Sequence, residues 1–357
     1  MKTSRVPFLK RKILWIPLGI AVLVLAWDRI LSSEFVRPYT ESGAEYYFYN
    51  MKDRVLNTMK KETDAKKPEQ KTLTFFGTSH MGEFSLTEFE KNSPGLIVYN
   101  LSGPSAPYSF HNFTLEKLIS KKIPLDYAIL EYYPDSGTDF ANRYPLRYSY
   151  DLPFFLRYWN IFSTNEWDSF LKARVFRTSV FPPRFKEAFA RLKNPFEVKK
   201  LLYIRNILIN ESDKFKGGIP NTLLANTPED QLGSESDRIF NESYKNYRSS
   251  KVQEFFLRNF LETSRKNGIK VVLWTPLLYS KFSDKVRSAA FFQEWIRMRD
   301  SLVKEYPETL VLDMEDYRDK MKCQKFIDPH HLSGGCYAEP TRYLIEFLQE
   351  KGNLPKP

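Results

Sequence analysis

Two short segments near opposite ends of this sequence carry a nucleophile, a base and a group that could hold the base. Gly77-Thr78-Ser79-His80 directly follows a short apolar run, Leu73 to Phe76. A serine at such a strand-to-helix turn lies at the carboxyl edge where open α/β sheets bind ligands. Its hydroxyl also stands beside unpaired backbone N–H groups able to stabilise an oxyanion. Taken alone, the same serine reads as a helix N-cap. At the other end, Asp328-Pro329-His330-His331-Leu332-Ser333-Gly334-Gly335 precedes the last helical pattern. A carboxylate three residues before a histidine, in a turn held by Pro and Gly, can receive the ring N–H and fix the tautomer of a general base. A helix-capping turn with surface histidines is the plainer alternative.

The other candidates are less specific. His80 adjoins Ser79, but adjacent side chains diverge, which suits packing or substrate contact better than base catalysis. His111 lies in an aromatic, helix-like stretch and reads as structural, and His330 is the reserve base. Arg143 and Arg147 could hold an anionic substrate or line a solvated face. The four histidines form no spaced ligand set, and neither C-x-x-C nor H-E-x-x-H occurs, so no metal or other cofactor is expected.

These residues need elements to position them. Apolar runs at 73–76, 96–99, 127–133, 270–276 and 309–314 read as strands. Helical patterns fall at 41–61, 108–121, 239–267, 287–305 and 340–350. Alternation of β and α predicts an α/β fold with a parallel sheet and crossover helices. Between about 137 and 238 the pattern changes to aromatic- and Arg-rich segments and then a polar stretch, read as a helical insertion ending in a mobile loop.

The N-terminus places the chain. Residues 13–27, ILWIPLGIAVLVLAW, form an uncharged apolar run behind Lys2, Arg5, Lys10, Arg11 and Lys12. The run is shorter than the roughly 20 residues of a spanning helix, but flanking charges can snorkel and Ile30-Leu31 extend it. It reads as an uncleaved anchor with the N-terminus inside; the rival is a signal peptide cleaved after Val24-Leu25-Ala26. Either way the main domain lies outside the cytoplasm, periplasmic or at the cell surface. The five basic residues account for part of the +11 formal charge, leaving +6 spread over the rest. No basic run interleaved with aromatics marks a nucleic-acid face, and the balance suits an anionic envelope or lipid surface. The two cysteines, Cys323 and Cys336, bracket Asp328 and His331, so an oxidising compartment would join them across the histidine turn.

Together the two motifs resemble the SGNH/GDSL superfamily of esterases and acyltransferases: a strand followed by G-x-S, and D-x-x-H-L-x-x-x-G before the C-terminal helix. The resemblance covers about 73–135 and 240–350. It implies a flavodoxin-like parallel sheet with helices on both faces. It also implies Ser79 as nucleophile, His331 as base and Asp328 as its orienting carboxylate. The oxyanion donors would be Ser79 and Gly103, the latter in the Asn100-Leu101-Ser102-Gly103-Pro104 loop. The family's asparagine after the third strand has no counterpart in Glu131-Tyr132-Tyr133-Pro134-Asp135. Tyr132 or Tyr133 is expected near that position. His80, Asn100, Tyr132 and Arg143 are the expected substrate contacts.

The implied organisation is a basic segment (1–12), an anchor or signal (13–31), a helical stalk and linker (32–71), an SGNH-like domain in two parts (72–136 and 239–357) and the insertion (137–238). In layout the chain is similar to membrane-anchored alginate O-acetyltransferases and the D-alanine transfer protein of teichoic acid synthesis. That implies acyl transfer or removal on an envelope glycan or lipid, with the membrane and a membrane-bound acyl-donor protein as partners. Two other readings stand beside it. One is a non-catalytic envelope protein that keeps the fold as a glycan-binding or assembly platform. The other is a secreted esterase of small acyl esters.

Overall fold

The computed structural model describes residues 8–41, 45–138, 140–210, 212–219 and 225–356, with the side chains of 8–14 and 140 outside the description. The expected basic cluster, Lys2 to Lys12, therefore lies outside the described side chains.

Five strands form one sheet: β1 (Lys71–Phe76), β2 (Leu96–Asn100), β3 (Tyr127–Glu131), β4 (Lys270–Thr275) and β5 (Leu310–Asp313). Their order is β2-β1-β3-β4-β5 and every pairing is parallel. This is the flavodoxin-like order, in which ligands meet the carboxyl ends of the strands. The strands read as continuous apolar runs because helices cover both faces. Side chains alternate between the two layers: Phe76, Leu130 and Leu273 enter one core, Phe75, Ile129 and Trp274 the other.

On the first face pack α3 (Glu45–Asp64), α5 (Tyr108–Ser120) and α13 (Lys251–Lys266). On the second lie α4 (Leu86–Asn92), α14 (Ser280–Ser288) and α16 (Ala338–Lys351), with α15 (Ala290–Glu305) contributing to both cores through Trp295 and Phe292. The expected stalk is corrected here. Val55, Leu56 and Met59 of α3 are fully buried in the first core, so this helix is a layer of the domain. At its N-terminal side stand α1 (Phe8–Leu31) and the short α2 (Arg37–Thr40). The apolar side chains of α1, from Trp15 to Ile30, are mostly exposed. Among the described residues no helix is long and apolar enough to cross a membrane.

The insertion is helical as expected: α6 (Arg143–Tyr148), α7 (Leu152–Arg157), α8 (Thr164–Val175), α9 (Arg177–Val180), α10 (Phe185–Lys193), α11 (Pro195–Asn210) and α12 (Glu229–Ile239). Its expected loop is only partly one. Residues 220–224 lie outside the described residues. Residues 212–219 form turns docked on the sheet edge, where Asn100 N–H donates to the Lys216 carbonyl at 2.8 Å. The single helix expected at 239–267 is divided, because Ser250 starts a new one by accepting the Gln253 N–H.

Candidate active site

The serine-bearing turn is built by a close backbone approach. Gly77 ends the exit from β1, and a Cβ there would lie 2.5 Å from Met81 Sδ and 2.6 Å from Glu131 Oε2. Only glycine fits without displacing them. After it, Thr78 caps a short 3₁₀ turn, Ser79–Met81. Buried Glu131, the last residue of β3, fastens this turn: it accepts Thr78 N–H at 2.6 Å and the Thr78 hydroxyl at 3.0 Å, and pairs with His80 Nδ1 at 2.7 Å. Ser79 is left exposed at the carboxyl edge of the sheet.

The opposing loop is a small hairpin. Phe326 and Leu332 bridge antiparallel, Ile327 N–H donates to the His331 carbonyl at 2.9 Å and Ser333 N–H to the Lys325 carbonyl at 2.8 Å. The disulfide Cys323–Cys336 spans the hairpin's base, as the bracketing of the motif predicts. At its tip, Asp328 Oδ1 accepts the backbone N–H groups of His330 and His331 at 2.8 and 2.9 Å. The carboxylate also faces His331 Nδ1, at 2.8 Å from Oδ2 and 2.9 Å from Oδ1. The other ring nitrogen, Nε2, lies 2.7 Å from Ser79 Oγ. Residues 252 positions apart are thus joined in an unbroken Ser–His–Asp line, the arrangement that lets a hydroxyl lose its proton as it attacks.

Electrostatics keep the orienting group charged. Burial works against ionisation of Asp328, but the hydrogen bond and charge of His331 and the His330 N–H hold its carboxyl well below the usual range. Behind the line sits a second pair. Burial opposes charge on His80, yet Glu131 raises its pKa, and His80 in turn lowers that of Glu131 against the same burial. Across the cleft, burial raises the pKa of Asp135, which accepts from Tyr244. Burial, then repulsion from His80 and His331, pushes His330 down.

His80, Asp135, His330 and His331 line a cleft of about 530 Å³ with Ser79, Ser105, Tyr244 and Tyr247 along its walls. No Lys or Arg lines it among the described residues. The family described as a protein of unknown function (DUF1574) matches residues 8–348, a span that takes in α1, the sheet, the insertion and the His331 hairpin. The chain belongs to the DUF1574 family. No curated protein matches it.

Several expected contacts of this DUF1574 chain take other roles. Gly103 N–H donates to the Gly77 carbonyl at 2.9 Å, so it braces the serine turn and is not turned into the cleft. Ser105, two residues on and held at a positive φ of 50°, is the residue of that loop that lines the cleft. Asn100 is buried, donates to the Met81 carbonyl at 2.6 Å and accepts from Ser102; it ties two loops together and does not face the cleft. Tyr132 points into the core, stacked on Trp295 with its hydroxyl on that residue's carbonyl at 2.7 Å. Tyr133 is buried too, edge-on to His80. Arg143 packs over the Tyr144 ring at 4.5 Å and donates to its hydroxyl, outside the cleft lining. His111 is fully buried, and that burial lowers its pKa to about 3, in keeping with a structural place.

Sequence reasoning missed Glu131 and Asp135 as site residues. The signal was present: a lone carboxylate closing the apolar strand Tyr127–Glu131 has to find donors, since a buried charge is tolerated only when paired.

Proposed function

We propose that this chain is a membrane-tethered, extracytoplasmic serine O-acyltransferase or esterase of the SGNH type, acting on hydroxyl groups of a cell-envelope glycan or lipid. The observation that carries the reading is the line from Ser79 Oγ to His331 Nε2 to Asp328, with heavy-atom spacings of 2.7 and 2.8 Å.

In this mechanism Ser79 Oγ attacks the donor's acyl carbonyl and its proton passes to His331 Nε2, while Asp328 stabilises the imidazolium. The Ser79 N–H, at the open start of its turn, and a donor from Ser105 face the oxyanion. His331 returns the proton to the leaving alcohol, which departs as the acyl-enzyme forms. An acceptor hydroxyl, or water, then attacks the acyl-enzyme and gives its proton to His331, which passes it to Ser79 Oγ as the bond from the acyl carbon to Ser79 breaks and free Ser79 is regenerated. Tyr247, half-buried in the cleft wall, suits contact with a sugar ring, while buried Tyr244 backs His330. A cleft lined by Asp135 and Glu242, and by no Lys or Arg among the described residues, suits a hydroxyl-rich acceptor better than a phosphate-rich one.

The tether reading rests on the apolar run behind the basic cluster and on α1, whose described apolar side chains face outward. The cysteine pairing fits an oxidising compartment. A membrane-bound acyl donor is the partner this layout calls for. The test is activity of the detergent-purified full chain on nitrophenyl acyl esters, with water and with sugar alcohols as acceptors. Ser79→Ala and His331→Ala should each remove most turnover, and the double variant should lose little more, because the groups act as a unit. Full turnover in Ser79→Ala would leave the glycan-binding platform as the better reading.

A further inference from the structure

We propose that the α10–α11 corner of the insertion lies flat on the same lipid bilayer that holds α1, so that the edge of the sheet bearing Ser79 is held toward the membrane. The proposal rests on the tether in the reading above and is independent of its chemistry.

The polarity of α10 is turned inside out. Phe185, Phe189 and Leu192 fall four and three residues apart, on one helical face, and are 56%, 67% and 63% exposed. Phe196, at the start of α11, continues them at 66%. No residue of α10 is buried. Of its cations, Arg191 turns back to the protein, donating to the carbonyls of Tyr39 and Glu41 at 3.1 and 2.7 Å, while Lys186 and Lys193 stay exposed beside the stripe. A helix that buries none of its residues and presents an apolar stripe of Phe185, Phe189 and Leu192 outward has its apolar partner outside the chain.

Position identifies that partner. Asp28, near the end of α1, accepts the N–H groups of Arg177 and Thr178 at 2.9 and 2.8 Å and so caps α9. Arg184 N–H donates to the Thr40 carbonyl of α2 at 2.8 Å. The apolar stripe therefore stands where α1, itself apolar and exposed, leaves for its own partner, and one bilayer satisfies both. Exposed Lys186, Lys193, Lys199 and Lys200 flank the stripe, as expected of a helix lying among anionic headgroups.

Orientation follows from α3. Near its start, Tyr49 donates to the Pro104 carbonyl at 2.8 Å and Lys52 to the Asn100 carbonyl at 3.2 Å, both beyond or at the carboxyl end of β2. Past its far end, Lys66 meets Asp126, just before β3, at 3.4 Å. The carboxyl edge of the sheet is thus the edge on the side of α1 and α10. An acyl donor or acceptor seated in the membrane could reach Ser79 from that side.

The test uses the full chain in vesicles of phosphatidylethanolamine and phosphatidylglycerol. Its two native cysteines are joined, so a cysteine introduced as Val24→Cys, Phe189→Cys or Lys266→Cys takes an environment-sensitive nitrobenzoxadiazole label alone. Labels at 24 and 189 are expected to shift to the blue and to be quenched several-fold by nitroxide-bearing lipids, and the label at 266 to do neither. Should Phe189→Cys lose its fold, Leu192→Cys reads the same face. A label at 189 quenched by aqueous iodide, with 24 quenched by lipid, overturns the platform while leaving the tether. Protection at 189 from both quenchers means that a second copy covers the stripe, which also overturns it. Loss of lipid quenching at 24 and 189 together removes the tether as well.

Discussion

The ring of His80 stacks on the ring of His331 at 5.0 Å between centroids and 29° between planes. The base of the proposed triad therefore leans on a second imidazole whose own Nδ1 is held by Glu131 at 2.7 Å. Fixing His80 fixes one wall of His331, and Glu131 does this while also clamping the Thr78 N–H beside the nucleophile.

Breaking that buried pair should cost about 3 kcal/mol, because the partner left behind is an uncompensated buried charge. The cost should depend on pH in a defined direction. Glu131, lowered by His80, contributes stability present above the ordinary glutamate pKa and lost as pH falls through its depressed folded value. His80, raised by Glu131, contributes stability present below about 6.5 and lost as pH rises through its elevated folded value. The gap between wild type and Glu131→Gln in chemical denaturation should thus be widest between about pH 4 and 6.5. A gap that is flat from pH 4 to 9 would remove the pair from the account.

Gly77→Ala should be disproportionately harmful for one methyl group. Its Cβ would enter space held by Met81 Sδ and Glu131 Oε2, and over-packing of this kind costs about 1–3 kcal/mol. Because the shift falls on the residues that seat Ser79, turnover should drop more than melting temperature indicates. A variant with wild-type turnover would contradict the tight-approach explanation.

The fold was largely legible in the sequence, for a physical reason. Strands covered on both faces are largely apolar runs, interrupted in β1 only by the buried Thr72 and Thr74, and β1 to β5 each stand out against polar turns. Ser79, Asp328 and His331 were legible as well, since each sits in a short motif whose chemistry is local. What was not legible depends on which way a side chain turns. Asn100 and Tyr132 end strands as substrate contacts would, yet one ties loops and the other fills the core. Gly103 lies in the expected loop, but its N–H is spent on the Gly77 carbonyl. The role of α3 was misread because its apolar positions fit a stalk helix and a packed layer equally until its partners are known.

That reassignment can be checked directly. Ser105→Ala should lower kcat by about 10²-fold if Ser105 serves the oxyanion through its hydroxyl, the loss seen when one such donor is removed. Gly103→Ala should leave turnover within a few-fold, since its added Cβ meets the Tyr49 ring at 3.5 Å and Ala106 Cβ at 3.8 Å, both ordinary contacts. The opposite ranking would restore Gly103 to the site.

The disulfide closes a 13-residue separation around the Asp328–His331 hairpin, for which the chain-entropy estimate is about 3 kcal/mol. Thiol labelling of the unreduced, denatured protein should find no reactive cysteine. Replacing both cysteines by alanine should lower stability by about that amount and loosen His331, raising the spread of its ring signals in NMR. Two reactive thiols in protein from its native compartment would rule the bond out.

The central claim is that Ser79 is a nucleophile armed by His331, and covalent trapping reads it most directly. Purified full-length protein treated with a fluorophosphonate should gain one adduct by intact mass, mapped by peptide sequencing to Ser79. Adduct formation should be absent in Ser79→Ala, strongly slowed in His331→Ala, and slowed less in Asp328→Asn, which disturbs the tautomer without removing a reacting group. Absence of any adduct on the folded wild-type protein, or equal labelling of Ser79→Ala, would contradict the account.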